Sequence, residues 1–310
     1  MTRTALRRWL PRAGNALAGA AIVYVLIGLW GQREALGDWE PTPATLAFVA
    51  GAMALYAAAN QFLAISWHRL LGLFDVTRTL SFSSARSIYA RSQMAKYLPG
   101  NVLHLASRHV LLRERGYGHT VLLATAIHEM AGLMAAASLI AVLAFTILGI
   151  VLASLGVWTL LLPIAVAGAF LVGHRLIIRF GWLPELPTAT SSQMMELRLA
   201  SVLLSYLGFF VLAGLALTLV ARGIGGPLLG HAMTTSFVVF AISWMAGFLT
   251  PGAPSGIGVR EAVIVTLLDG VFPPAQALLM ALVFRGVTVL GDLLFLALSA
   301  LRNGESVGDA

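Results

Sequence analysis

The sequence predicts an all-α polytopic membrane protein, with about six full transmembrane helices and two re-entrant broken hairpins in an inverted-topology repeat. Three observations lead there. Of 310 residues, 59% are hydrophobic and 11% charged, mean hydropathy is +0.87, and several apolar runs exceed the roughly 18 residues that mark a bilayer span. Basic residues cluster at alternate ends of those runs. And one stretch occurs twice: residues 92–108 read SQMAKYLPGNVLHLASR and residues 243–260 read SWMAGFLTPGAPSGIGVR.

Laid on each other, Ser92, Met94, Ala95, Tyr97, Leu98, Pro99, Gly100 and Arg108 fall on Ser243, Met245, Ala246, Phe248, Leu249, Pro251, Gly252 and Arg260, with one residue inserted before the second proline. Each copy is an apolar helical run stopped by Pro-Gly and followed by a second short run. Proline lacks the amide proton and biases its predecessor away from helix, so each copy reads as a broken helix.

The formal charge of +7 raises nucleic acid as a partner, and charge placement excludes it. Twelve of the twenty Lys and Arg (Arg3, Arg7, Arg8, Arg12, Arg69, Arg78, Arg113, Arg115, Arg175, Arg179, Arg198 and Arg302) flank spans on one side, and only Arg33 and Arg222 fall in loops on the other. By the positive-inside rule the first side is cytoplasmic, as are both termini. A basic face on a water-soluble fold, which nucleic-acid binding needs, is not written here. The chain has no cysteine, so disulfides, thiolate nucleophiles and Cys-ligated metals are excluded. No metal or cofactor is expected.

In chain order, Arg7-Arg8 before an apolar run resembles an export signal but lacks a convincing cleavage site, so an uncleaved first span of about 14–30 is expected. Span two covers about 44–66, and the first broken element about 81–112. The apolar run 119–173 is too long for one crossing at 1.5 Å per residue and divides near Gly149 to Gly156 into spans three and four. A cytoplasmic loop follows. Span five, about 199–220, turns at Gly223, Gly225, Gly226 and Pro227; the second broken element occupies about 231–269, and the last span about 275–300. The whole is one integral membrane domain, 1–310, whose repeats are about 44–148 and 199–300, running in opposite senses. The second limbs of the broken elements, about 101–112 and 257–269, are short for crossing, which favours re-entrance over full spans.

Ionisable residues inside apolar segments are functional candidates by default. Here they are Arg86, Arg91, Lys96, His104, Arg108 and His109 in the first broken element, Arg260 and Glu261 in the second, His128 and Glu129 in span three, and Arg285 and Asp292 in the last span. Six charges left unpaired at mid-bilayer would cost on the order of 18 kcal/mol on the insertion scale, more than a typical fold's net stability. They must be paired, snorkelled or wet. Arg86 and Arg113 read as headgroup anchors, and His104 and His128 as satisfied core imidazoles. A Glu261–Arg285 pair is as reasonable as a substrate role. The run Ser255-Gly256-Ile257-Gly258 is expected to open a helix with free amides aimed into the membrane, a place for an anion.

LPGN with Arg108 nine residues after its proline, PGAPSGIGVRE, and the later Arg285 together resemble the transmembrane region of the lysylphosphatidylglycerol synthase/flippase family over most of the chain. The resemblance implies that Pro99, Gly100, Arg108, Glu129, Pro254, Gly256, Gly258, Glu261 and Arg285 match family motifs, and that the chain is a lipid flippase. Where members carry a Gly-Glu pair this chain has Leu103-His104, and where an acid-arginine pair is usual it has Glu129-Met130. No soluble aminoacyltransferase domain follows, so synthase activity is not implied. The expected substrate is an anionic, phosphate-bearing membrane lipid, and the expected location the cytoplasmic (inner) membrane. Its headgroup would be held by Arg91, Lys96, Pro99, Gly100, Arg108, Ser255, Gly256, Gly258, Arg260, Glu261 and Arg285, with Glu129 and Asp292 as candidate coupling carboxylates. Two alternatives from other classes stand beside it: a non-transporting partner of an envelope-biosynthesis glycosyltransferase, and an intramembrane lipid-headgroup enzyme. A homo-oligomer is compatible with all three.

Overall fold

The computed structural model describes residues 3–37, 39–75, 80–98, 103–147, 192–226 and 230–304, together with positions 165, 167, 168, 170 and 173. Most of span four, the 174–191 loop and the Pro99-Gly100 break lie outside the described residues. The described elements are helical: α1 (Arg3–Gly31), α2 (Arg33–Gly37), α3 (Pro43–Phe74), α4 (Phe82–Gln93), α5 (Leu103–Arg113), α6 (His119–Ile147), α7 (Ser192–Gly223), α8 (His231–Leu249), α9 (Val259–Leu268) and α10 (Pro274–Gly304). Two 3-10 turns, Met94–Tyr97 and Pro254–Gly256, follow α4 and precede α9. This is a polytopic α-helical membrane protein.

Five of these helices contain stretches long and apolar enough to cross a bilayer: Pro43–Phe74, His119–Phe145, Met194–Gly223, His231–Leu249 and Pro274–Leu301. Four are expected spans. The fifth, α8, is the first limb of the second broken element, and its 19 residues give it the length to cross rather than dip. Its counterpart α4 has 12 residues, which leaves the two broken elements unequal. The apolar part of α1 is shorter, Ala18–Gly31. Large apolar side chains such as Leu46, Leu123, Leu204 and Leu290 remain exposed; spread over the outer faces of long apolar helices, they face lipid rather than water.

The centre is the antiparallel pair α3 and α7. Thr42 and Thr45 form a capping box at the start of α3, which frees the Thr45 hydroxyl to donate to the Gly223 carbonyl at the far end of α7 (2.8 Å). At the other end of α3, Arg69 donates to the Ser201 carbonyl and the Ser205 hydroxyl (3.0 and 2.8 Å). Between them Phe62 lies over Gly208, where an added Cβ would sit 2.8 Å from its ring. Small residues let membrane helices approach this closely, where dispersion contacts replace a hydrophobic driving force.

Around this pair the contacts come in matched sets. α3 packs on α10 as α7 packs on α6; α4 packs on α10 as α8 packs on α6; α4 meets α5 as α8 meets α9; and α5 meets α6 as α9 meets α10. Exchanging α3 with α7, α4 with α8, α5 with α9 and α6 with α10 therefore maps these neighbours onto one another. The two 3-10 turns touch each other directly. What α1 adds, against α9 and α10, stands outside that pattern.

Candidate functional site

The meeting point of the two turns is the polar centre of the molecule. Between them lies a cavity of about 60 Å3, to which Gln93 and Lys96 come from the first broken element, Ser255 and Arg260 from the second, Asn60 from α3 and Glu129 from α6. One water needs about 10–15 Å3 on this measure, so the cavity has room for a few waters. Two smaller voids adjoin it. One of about 30 Å3 lies beside Arg108 and Glu129, and one of about 10 Å3 lies among Arg260, Glu261 and Arg285. Glu129 faces the first two voids and Arg260 the first and third.

Charges in this region are mostly matched, as the cost of bare ions in a bilayer requires. Arg108 donates from one Nη to both oxygens of Glu129 (2.8 and 2.9 Å), and both side chains are buried. The Tyr89 hydroxyl also donates to Glu129 (3.1 Å), and its ring lies 4.3 Å from the Arg108 guanidinium carbon. Lys96 reaches Asp292 at 2.6 Å. Asp292 is fully buried and takes two further donors, the Asn60 amide (3.1 Å) and the Tyr97 hydroxyl. Arg285 stands 3.6 Å from Glu261 and donates to the Ser255 carbonyl (3.1 Å).

Arg260 differs. Among the described residues no carboxylate pairs with it; it shares the cavity wall with Tyr56 and its guanidinium lies 6.0 Å from the Trp244 ring, while its Nε is buried without a hydrogen-bond partner. The side chain folds back against Gly247 and Gly256. A Cβ at Gly247 would stand 2.6 Å from its Cγ and 2.7 Å from its Nε, and one at Gly256 2.9 Å from Nε. Only glycine leaves that slot open.

Several sequence-based expectations change here. The free amides do not hold at three positions: Gly258 N–H donates to Glu261 (2.7 Å), and the Gly256 and Ile257 amides donate to the Ala253 and Pro254 carbonyls (3.0 Å each). The reason is local. Pro254 sets a 3-10 turn whose own carbonyls take those protons, and Glu261, at the third position of α9, caps the helix that follows. Arg91 is exposed at the end of α4, apart from the cavity. Arg86 is buried rather than a surface anchor. Pro99 and Gly100 fall outside the described residues. His128 fits its core reading, bonded to the Ala124 carbonyl (2.8 Å) and packed on Phe74.

Lys96, Arg108, Glu129, Ser255, Arg260, Glu261, Arg285 and Asp292 are brought to the cavity or its immediate flanks, and Gly256 and Gly258 to the turn beside it. Sequence reasoning missed Asn60, Tyr56, Tyr89, Tyr97 and Gly247. Asn60 was findable, with its neighbour Gln61, as a carboxamide pair interrupting the apolar run of α3. Gly247 was findable too, since it replaces Lys96 in the second copy.

Compared with known families, residues 14–295 match the one described as the lysylphosphatidylglycerol synthase TM region. Among curated proteins none matches the chain.

Proposed function

Because the chain belongs to the lysylphosphatidylglycerol synthase transmembrane-region family, we propose that it is a carrier that moves an anionic, phosphate-bearing lipid across the cytoplasmic membrane. Phospholipid, polyprenyl phosphate and glycolipid are the candidate classes. The observation that carries this reading is Arg260: a guanidinium without a carboxylate partner, facing a polar cavity at the junction of two broken elements. A half-buried cation left without a carboxylate among the described residues is a place for an anion from outside, and phosphate suits a guanidinium by charge-assisted hydrogen bonds. Lys96 lines the same cavity.

The matched contacts around α3 and α7 support an inverted repeat, since the two equivalent helices run antiparallel through the centre. Binding sites of such carriers lie at the interface of the repeats, near the midplane and at helix interruptions. In this reading a cavity with room for only a few waters is the closed state. A headgroup enters only when the halves rock apart, while the lipid's tail stays in the bilayer.

Proteoliposomes carrying a fluorescent phosphatidate, a polyprenyl phosphate or an acidic glycolipid test this. The purified protein is expected to speed exposure of at least one of them to an external quencher. Equal rates with and without protein across the whole panel would remove the carrier reading and leave the glycosyltransferase-partner reading in its place. Single cysteines in the cysteine-free chain test the orientation, with residues 31–43 and 222–230 labelled from outside and position 190 from inside.

A further inference from the structure

We propose that Asp292 is a resident counter-ion that a headgroup phosphate displaces from Lys96, and that this exchange unlatches the first broken element from α10. The inference rests on the carrier reading and specifies how binding is converted into movement.

Two consecutive residues of the first 3-10 turn, Lys96 and Tyr97, both end on the Asp292 carboxylate, and the third donor, Asn60, comes from α3. Asp292 lies in the middle of α10, a helix otherwise apolar around it (residues 286–301). One carboxylate thus fastens a turn of four residues to a long helix of the other half. The turn has little else of that kind to hold it: none of its residues is fully buried, and Leu98 just beyond it is exposed.

Of that latch the cavity reaches Lys96 and Asn60, and Lys96 is the charged one of the two. It lines the void together with Arg260, so an anion drawn to Arg260 lies within reach of the lysine as well. The groups around Asp292 fix the direction of the exchange. Lys96 and Tyr97 face it from the turn, Asn60 and Tyr56 from α3, Arg260 and Glu261 stand on α9, and Arg285 lies two helical turns away on α10. An arriving phosphate gives Arg260 its missing partner and competes for Lys96, while Asp292 keeps its Tyr97 and Asn60 donors until the lysine swings away. The phosphate replaces Asp292 as the partner of Lys96 and pairs Arg260 as well; Asp292 gives up its cation and keeps two neutral donors, a cost that the new phosphate contacts offset. The turn is then held to α10 by one hydroxyl. It also touches the second turn, so its release loosens the contact between the two broken elements.

The test is a labelling assay on a Leu98→Cys variant, with a water-soluble maleimide and dioleoylphosphatidate in detergent. Without lipid, Asp292→Asn is expected to raise the labelling rate at least fivefold, because the amide loses the charge that holds Lys96 and keeps one acceptor oxygen in place of two. Tyr97→Phe, which leaves every charge in place, is expected to raise it about twofold and serves if the first variant folds poorly. With an aspartate at 292, phosphatidate is expected to raise the rate, and inorganic phosphate at equal concentration to leave it unchanged. Asp292→Asn is expected to bind phosphatidate about tenfold more tightly, its internal competitor being gone. Unchanged labelling in both lipid-free variants overturns the latch. Phosphatidate that is carried in proteoliposomes but never alters labelling overturns the exchange and leaves the carrier reading standing. If inorganic phosphate alone unlatches the turn, the displacing ligand is not a lipid headgroup and the proposal fails. If phosphatidate and the other lipids are neither bound nor moved, the carrier reading has failed and the exchange falls with it.

Discussion

Arg108 and Arg260 stand nine residues after a proline in two copies of one stretch, yet the fold uses them differently. Arg108 turns toward α6, donates to both oxygens of Glu129 and is boxed in by Tyr89 and Trp67. Arg260 turns back along its own broken element into a slot between Gly247 and Gly256. The cause lies one residue from the alignment's conserved positions. Where the first copy has Lys96 the second has Gly247, so the first copy sends a cation from its first limb to Asp292, and the second copy opens a hole there that its own arginine fills. Two copies of a motif diverged so that one arginine holds the scaffold and the other faces the cavity. Both arginines are expected from the sequence to hold the headgroup; in the fold Arg108 is bound to Glu129, and Arg260 faces the cavity.

The largest effect expected from this difference is on stability. Arg108→Gln leaves Glu129 buried and uncompensated, which costs on the order of 3–5 kcal/mol. Thermal unfolding in detergent without lipid checks it, and the double variant Arg108→Gln/Glu129→Gln is expected to recover part of the loss, because two neutral groups can share a hydrogen bond. An unchanged melting temperature for Arg108→Gln would remove the scaffold role.

Arg260→Gln is expected to do the reverse. It breaks no ion pair, so melting without lipid shifts by about 1 kcal/mol or less, while lipid movement falls tenfold or more, the value of a charged hydrogen bond of about 1.5–3 kcal/mol. Added phosphatidate raises the melting temperature of the parent but not of this variant. If Arg260→Gln melts as early as Arg108→Gln, the contrast between the two arginines disappears.

The smallest perturbation is Gly247→Ala. Alanine suits a helix better than glycine by about 1 kcal/mol, and its methyl would meet only the flexible stem of Arg260 in the slot. The net change in stability is expected within about 1 kcal/mol, with lipid movement reduced severalfold because the guanidinium is displaced. Full flux in this variant would mean that the position of Arg260 in the slot is irrelevant to transport.

Class, family and most of the elements are set by the sequence, because burial of apolar runs in a bilayer leaves the backbone no choice but helix, and proline with glycine marks where a helix must stop. The residues at the site were legible for the same reason: charge inside an apolar run is conspicuous. What local pattern could not supply is partnership. Glu129 lies 21 positions from Arg108 and Asp292 lies 195 from Tyr97, and nothing in the spacing says which acid meets which base. Tertiary packing decided it by placing α6 against α5 and α10 against α4, whereas the amides found their partners locally, Gly258 on a carboxylate three residues on. The sequence determines which charges must be matched, through the cost of an ion in a membrane; only the three-dimensional arrangement determines that, of the described cations lining the cavity, Arg260 is left without a carboxylate.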